Sequence, residues 1–282
     1  MSRLRSLLPE RIEALLAPDA LHLRRTGAGA AQSLIADAEA EAWRAPLAAL
    51  DQALRAHPPR PAPGGTHLPD TVAGMLAPKL NIVLSEHFAR WQLVPWQAEI
   101  ESTAEKEAWA RHGFREVYGE ISRHWQVRCA AQPPGAATPA CAIDGNLLTA
   151  LDQLATSHGC RLDSLRPLLV AAAERWQRKI PRGISWFAVL EPGRLNLGLL
   201  HDRRWRALHA EPLAAPDELG ERLAGLVTRG AIAAGLAPGE GRLLLCGDGA
   251  DTCPAPFPPG AVQRLGGALA WITAPREPRV SA

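Results

Sequence analysis

The chain has 282 residues, long enough for two lobes or one large domain, with 47% hydrophobic and 21% charged residues, the balance of an ordinary globular protein. Its formal net charge of +2 is too small to mark nucleic acid or an anionic membrane as the main partner. No window approaches the roughly 20 apolar residues of a membrane-spanning helix, and Pro9, Glu10, Arg11 and Glu13 interrupt the N-terminal apolar stretch, so no secretory leader is expected.

Residues 11 to 26 predict two short strands around a turn at Pro18-Asp19, because Leu21 and Leu23 alternate with His22 and Arg24 at the strand period of two. A helix is expected from Gln32 to Ala56, interrupted at Pro46, which cannot donate in a helix interior. Residues 57 to 70, HPPRPAPGGTHLPD, read as a proline and glycine loop. NIVLS (81–85) is a continuous apolar run, as in a strand buried on both faces. A second strand from Phe88 to Val94 should end at Pro95. A long helix is expected from Ser102 to Trp125, with Ala110, Phe114, Val117, Tyr118, Ile121 and Trp125 as its apolar stripe and Ser102 or Thr103 as its cap.

AQPPGAATP (131–139) reads as a linker or hairpin tip. ACAID then predicts a strand, Gly145 a turn, and Asn146 to His158 a helix closed by Gly159. RLDSLRPLL leads into another helix ending near Gln177. Residues 184 to 210 predict a three-stranded meander with turns at Pro192-Gly193 and Asp202-Arg203. A helix from Asp217 to Ala234, closed by Gly235, precedes the buried strand RLLLCG and the turn Gly247-Asp248-Gly249. The tail is proline-rich apart from an apolar segment, Leu265 to Ile272. Strands and helices mix in both halves, which predicts an α/β or α+β fold with mixed sheets flanked by helices.

Five cysteines, Cys129, Cys141, Cys160, Cys246 and Cys253, are odd in number, widely spaced and free of any CxxC pattern. They read as reduced thiols of a cytoplasmic protein.

Four pieces together resemble a known family: LSEHFARWQLVPW (84–96), ACAIDGNLLTALDQLATSHGCRLDSLRPLL (140–169), WFAVLEPGRLNLGLLHDRRW (186–205) and RLLLCGDGA (242–250). Their order resembles the actin-like proteins of type IV pilus and type II secretion machines, the PilM-like and GspL-like cytoplasmic domains. The resemblance covers most of residues 80 to 250. It implies a two-lobed actin-like, ribonuclease H-like fold, with an N-terminal lobe at 1–136 and a C-terminal lobe at 137–282 ending in the proline-rich tail.

In active members of the family a cleft between the lobes holds ATP and magnesium. Two hairpins wrap the phosphates and a glycine-rich turn meets the adenosine. By that resemblance the C-terminal phosphate hairpin is Glu191-Pro192-Gly193-Arg194-Leu195-Asn196-Leu197. It has the acid and the glycine, but Leu197 stands where the pattern has a hydroxyl. The N-terminal hairpin, Ala17 to His22, has Asp19 and no glycine, so backbone N–H groups approach a phosphate less closely. The turn Gly247, Asp248, Gly249 and Ala250 fits best, and an ordinary strand-end turn has the same residues. The resemblance therefore implies a degenerate site: nucleotide binding stays open, hydrolysis is not expected, and no cofactor is required. The expected role is a non-enzymatic scaffold that docks pilus or secretion assembly proteins, inner-membrane components among them, from the cytoplasm, with a homodimer open. The alternatives are an active ATP-binding assembly protein using Glu191, Gly193 and 247–250, and a small-molecule α/β enzyme. The last is opposed by the lack of a recognisable nucleophile, metal set or GxGxxG after a strand.

Other residues invite sharper roles. Trp91 and Trp96 belong to an unusual excess of nine tryptophans over one tyrosine and four phenylalanines. They read as packing between strand and helix or as a docking ridge. Ser85, Glu86 and His87 lack a GxSxG elbow, and neighbours on a strand point to opposite faces, so no triad is expected. His158, His201, Asp202 and His209 lack metal-ligand spacing. Arg194, Arg203, Arg204 and Arg206 could form a basic face, and Glu107 with Arg111 an i,i+4 helix pair.

Overall fold

The structure, a computed structural model, describes residues 9–25, 32–35, 42–60, 77–100, 102–213, 218–237 and 239–267. The chain runs β1 (Arg11–Ala17), β2 (Ala20–Arg25), β3 (Gln32–Ile35), α1 (Arg44–Ala56), β4 (Lys79–Leu84), β5 (Ala89–Val94) and α2 (Thr103–Tyr118). A 3-10 segment (Gly119–His124) leads to β6 (Trp125–Cys129), β7 (Thr138–Asp144), α3 (Gly145–Ser157), β8 (Arg161–Pro167) and α4 (Leu168–Trp176). Then come β9 (Ile184–Glu191), β10 (Arg194–His201), β11 (Arg204–Pro212), α5 (Leu219–Ala234), β12 (Arg242–Gly247) and β13 (Val262–Arg264).

Two compact units result: among the described residues, one takes those up to 85 and 146–167, the other 86–145 and 168–267. Each is discontinuous in sequence, unlike the contiguous division at 136/137 read from the chain. The cause is strand pairing: β4 pairs in parallel with both β1 and β8, which draws 161–167 back to the N-terminal sheet.

In the first unit the sheet order is β3-β2-β1-β4-β8. β1 and β2 form the expected antiparallel hairpin around residues 18 and 19. Every residue of β4 after Lys79 is buried, as its apolar run requires of a central parallel strand. The one polar residue among these, Asn81, accepts from Ser164 Oγ at 2.8 Å. Helix α1 packs on β1 and β2, and Asp51 of α1 meets His158, just past α3, at 2.8 Å.

In the second unit the larger sheet is β11-β10-β9-β12-β13. The meander β9-β10-β11 is antiparallel, and β12 joins β9 in parallel. One face of this sheet carries Trp186, Ala188, Leu190, Leu195, Leu197 and Leu199 into an apolar core with Leu223, Leu226 and Val227 of α5. Helix α4 packs on β9. The smaller sheet, β5-β7-β6, is covered by α2 through Val94, Ala110, Phe114, Val127, Ala140 and Ala142.

Several local expectations change. The helix expected from Gln32 is an edge strand, β3, followed by α1 from Arg44. Pro46 lies in the first turn of α1, where its missing N–H was not needed, so it interrupts nothing. The helix expected to Trp125 stops at Tyr118, because Gly119 takes φ 63°. On either side of that break the apolar stripe fails: Val117 and Ile121 are 73% and 70% exposed. Trp125 joins β6 and packs with Phe114 and Tyr118 as an aromatic cluster. Strands β8 and β13 were not expected. Among the expectations for the loop after His57 and for Leu265 to Ile272, residues 61–70 and 268–272 lie outside the described residues.

Candidate functional site

The second unit brings together residues that the sequence reading singled out separately. Glu191 is the last residue of β9, and Pro192-Gly193 turns the chain into β10, with Gly193 at φ 74°. Strand β12 runs parallel to β9 in a register that sets Gly247 beside Leu190. Asp248 N donates to the Leu190 carbonyl at 3.0 Å. Gly247, at φ 108°, could not carry a side chain: a Cβ would overlap that carbonyl. The turn continues through Gly249 (φ 78°) to buried Ala250. Arg264 holds it by donating to the carbonyls of Ala250 and Cys253 at 3.0 and 2.9 Å. Glu191, Gly193 and 247–250 are thus neighbours at one end of a sheet.

The hairpin itself is already engaged by protein groups. Glu191 is only 6% exposed, and its carboxylate accepts from Glu86 N at 2.8 Å. His87 Nε2 donates to the Pro192 carbonyl at 2.9 Å, and Leu213 N to the Gly193 carbonyl at 2.9 Å. Leu197 is 0% exposed and lies in the apolar core. Strand alternation sends its side chain to the face opposite Arg194 and Asn196. These residues do not fit a magnesium-phosphate group: the acid is turned to a backbone N–H, and no hydroxyl stands at 197. Gly247 and Gly249 of the turn, like Gly193 of the hairpin, take the positive φ that glycine permits.

Glu86 escaped the sequence reading as more than a failed triad member. It is fully buried, and Leu169 N and Trp91 Nε1 donate to its two carboxylate oxygens, each at 2.6 Å. Burial pushes its carboxyl up to about 7, against the opposing pull of those donors and of the Arg194 and Arg90 charges. Leu169 is in the first turn of α4, where an acid is welcome near the unpaired amides. The visible signal was an acid straight after an all-apolar strand. Arg194 is lowered first by its own burial, then by the nearby Arg90, while Glu86 and Glu191 pull it back. Arg90 donates through Nη1 to the carbonyls of His87 and Ala89, both at 2.9 Å.

The other candidates disperse. Trp91 serves Glu86, whereas Trp96 is exposed. His87 Nε2 is bound to the Pro192 carbonyl, and the Glu86 carboxylate to Leu169 N and Trp91 Nε1. Arg203 is tied to the Ile180 carbonyl at 2.9 Å. Arg194 and Arg204 stand at opposite ends of β10 and its partner, so the basic face does not assemble. Glu107 meets Arg128 at 3.2 Å rather than Arg111. Among the described residues no three His, Cys, Asp or Glu cluster as metal ligands, and no helix is long and apolar enough to cross a membrane. Burial pushes the Cys129, Cys160 and Cys246 thiols up to about 11 and also raises Cys141 well above the usual thiol value, which suits packing rather than nucleophilic roles.

No family model matches the chain, and no curated protein matches its sequence. Solved structures do match in fold. A Bacteroides thetaiotaomicron protein with actin-like ATPase fold and unknown function superposes with TM-score 0.54 at 12% identity, covering 88% of this chain and 85% of that one. The cytoplasmic domain of EpsL, an inner-membrane component of the Vibrio cholerae type II secretion system, gives 0.53 at 12% identity, covering 94% and 93%. A chain of the PilM–PilN type IV pilus biogenesis complex gives 0.56 at 14% identity, covering 86% and 82%. The fold, mixed sheets flanked by helices, is the actin-like ATPase fold.

Proposed function

We propose that the protein is a non-catalytic actin-like scaffold that docks components of a pilus or secretion assembly in the cytoplasm. One observation carries the non-catalytic part: the hairpin that would meet phosphate has its acid bound to Glu86 N and its hydroxyl position filled by buried Leu197. The assembly part is supported by likeness in fold to the EpsL cytoplasmic domain and to the PilM–PilN complex. Free cysteines in the described residues suit a reducing compartment. Glu191, Gly193 and 247–250 are then a vestigial nucleotide-facing set. A second reading, an ATP-binding assembly protein, is favoured by the turn with Gly247 and Gly249 at positive φ.

The test is genetic and structural together. Deletion of the gene in its native host should abolish surface pili or type II secretion. Complementation by a Glu191→Gln chain should restore the lost trait. Normal assembly in the deletion strain would sink the scaffold reading, and failure of the Glu191→Gln chain, if folded, would favour an active nucleotide site.

A further inference from the structure

Asn196 is 1% exposed, yet neither Oδ1 nor Nδ2 has a hydrogen-bond partner among the described residues. Buried side-chain amides are nearly always paired. On β10 the Asn196 side chain leaves on the face away from Leu195, Leu197 and Leu199. Arg194 leaves on the same face two residues away, a backbone spacing of about 7 Å. Its Nε is also buried without a partner. Beyond Asn196 the Trp205 ring lies against Gly198 and closes that end. Strand β5 packs on β11 and supplies Arg90, whose guanidinium donates, among the described residues, to backbone carbonyls. The two nearby acids are engaged elsewhere: Glu86 by Leu169 N and Trp91 Nε1, Glu191 by Glu86 N. Arg90 raises the positive potential at Arg194, and it does so more strongly than either acid offsets.

We propose that Arg90, Arg194 and Asn196 form a small anion site for hydrogenphosphate. The chemistry selects the ligand. Two guanidinium groups call for an oxyanion. The Asn196 Nδ2 donor needs an acceptor oxygen, and its Oδ1 acceptor needs a ligand O–H. Hydrogenphosphate offers both. Sulfate at neutral pH and the dianion of a phosphate monoester offer acceptors alone. The site uses side chains on the face of β10 and not the backbone of the hairpin, so it does not rest on the nucleotide reading.

The test is thermal unfolding of the full chain at pH 8 without magnesium, in inorganic phosphate, sulfate or phenyl phosphate at matched ionic strength. Phosphate near 100 times its dissociation constant should raise Tm by several degrees, with smaller shifts for the other two anions. Arg194→Gln and Arg90→Gln should each lose the shift. Asn196→Leu should lose it too, while melting higher than the unsubstituted chain in phosphate-free buffer. Should Arg194→Gln fail to fold, the half-buried Arg90 makes Arg90→Gln the deciding variant. No shift with phosphate, equal shifts with all three anions, or a shift retained by Arg90→Gln would each overturn the proposal.

Discussion

Glu86 sets the pH response at the scale of single residues. Its carboxyl is ordinary in the unfolded chain, at 4.5, and raised to about 7 in the fold, chiefly by burial. The folded state therefore binds the proton more tightly than the unfolded state. Stability from this group is fully present below about 4.5 and is lost as pH rises towards 7. A shift of that size corresponds to about 3 kcal/mol as an upper figure. Asp51 and Asp163 act oppositely: their pairing with His158 and with Arg161 lowers them, so their contribution is lost only as pH falls below the usual carboxylate range. Urea unfolding at pH 5 and pH 8 should show wild type weaker at pH 8, and Glu86→Gln should flatten that difference. An unchanged slope in Glu86→Gln would assign the pH dependence elsewhere. Sequence could place Glu86 after an apolar strand, but not beside α4, since Leu169 is 83 residues away. Arg90 and Asn196 were hidden for the same reason: an unmet amide is a property of packing, not of spacing.

At the scale of elements, the strands with strong apolar patterns were legible and the weakly patterned ones were not. β4, β9, β10 and β12 are buried runs, and their composition alone predicts them. β8 reads RLDSLRP, half polar, and becomes a strand through parallel pairing with β4, a tertiary effect that local propensity does not contain. β3 was absorbed into a helix because no clear stop separates it from α1. The long helix was right at its start and wrong at its end. Ser102 Oγ accepts from Glu105 N while the Glu105 carboxylate accepts from Ser102 N, a full capping box. Gly119 ends the helix, whereas the apolar stripe from which the helix was read runs on past it. Ser102→Ala should cost about 1 kcal/mol by chemical denaturation, and Ser102→Asp should recover most of it. An unaltered midpoint for Ser102→Ala would mean that packing on β5 and β6 alone holds α2.

For the whole molecule, the order of elements carried the fold, and the likeness to solved actin-like structures at 12–14% identity agrees with it. The glycine turn and the acid of the hairpin were legible because φ > 0 and a strand-end position leave marks in sequence. Their contiguity was not, since β12 meets β9 only through a parallel register across more than fifty residues. Occupation of the hairpin by Glu86 and His87 was equally invisible. In the proposed function, that occupation is what separates a scaffold from an ATPase. The most direct measurement is phosphate release from Mg-ATP by the purified chain, beside Glu191→Gln. No release above that of the variant is expected. Magnesium-dependent turnover that disappears in a folded Glu191→Gln chain would contradict it.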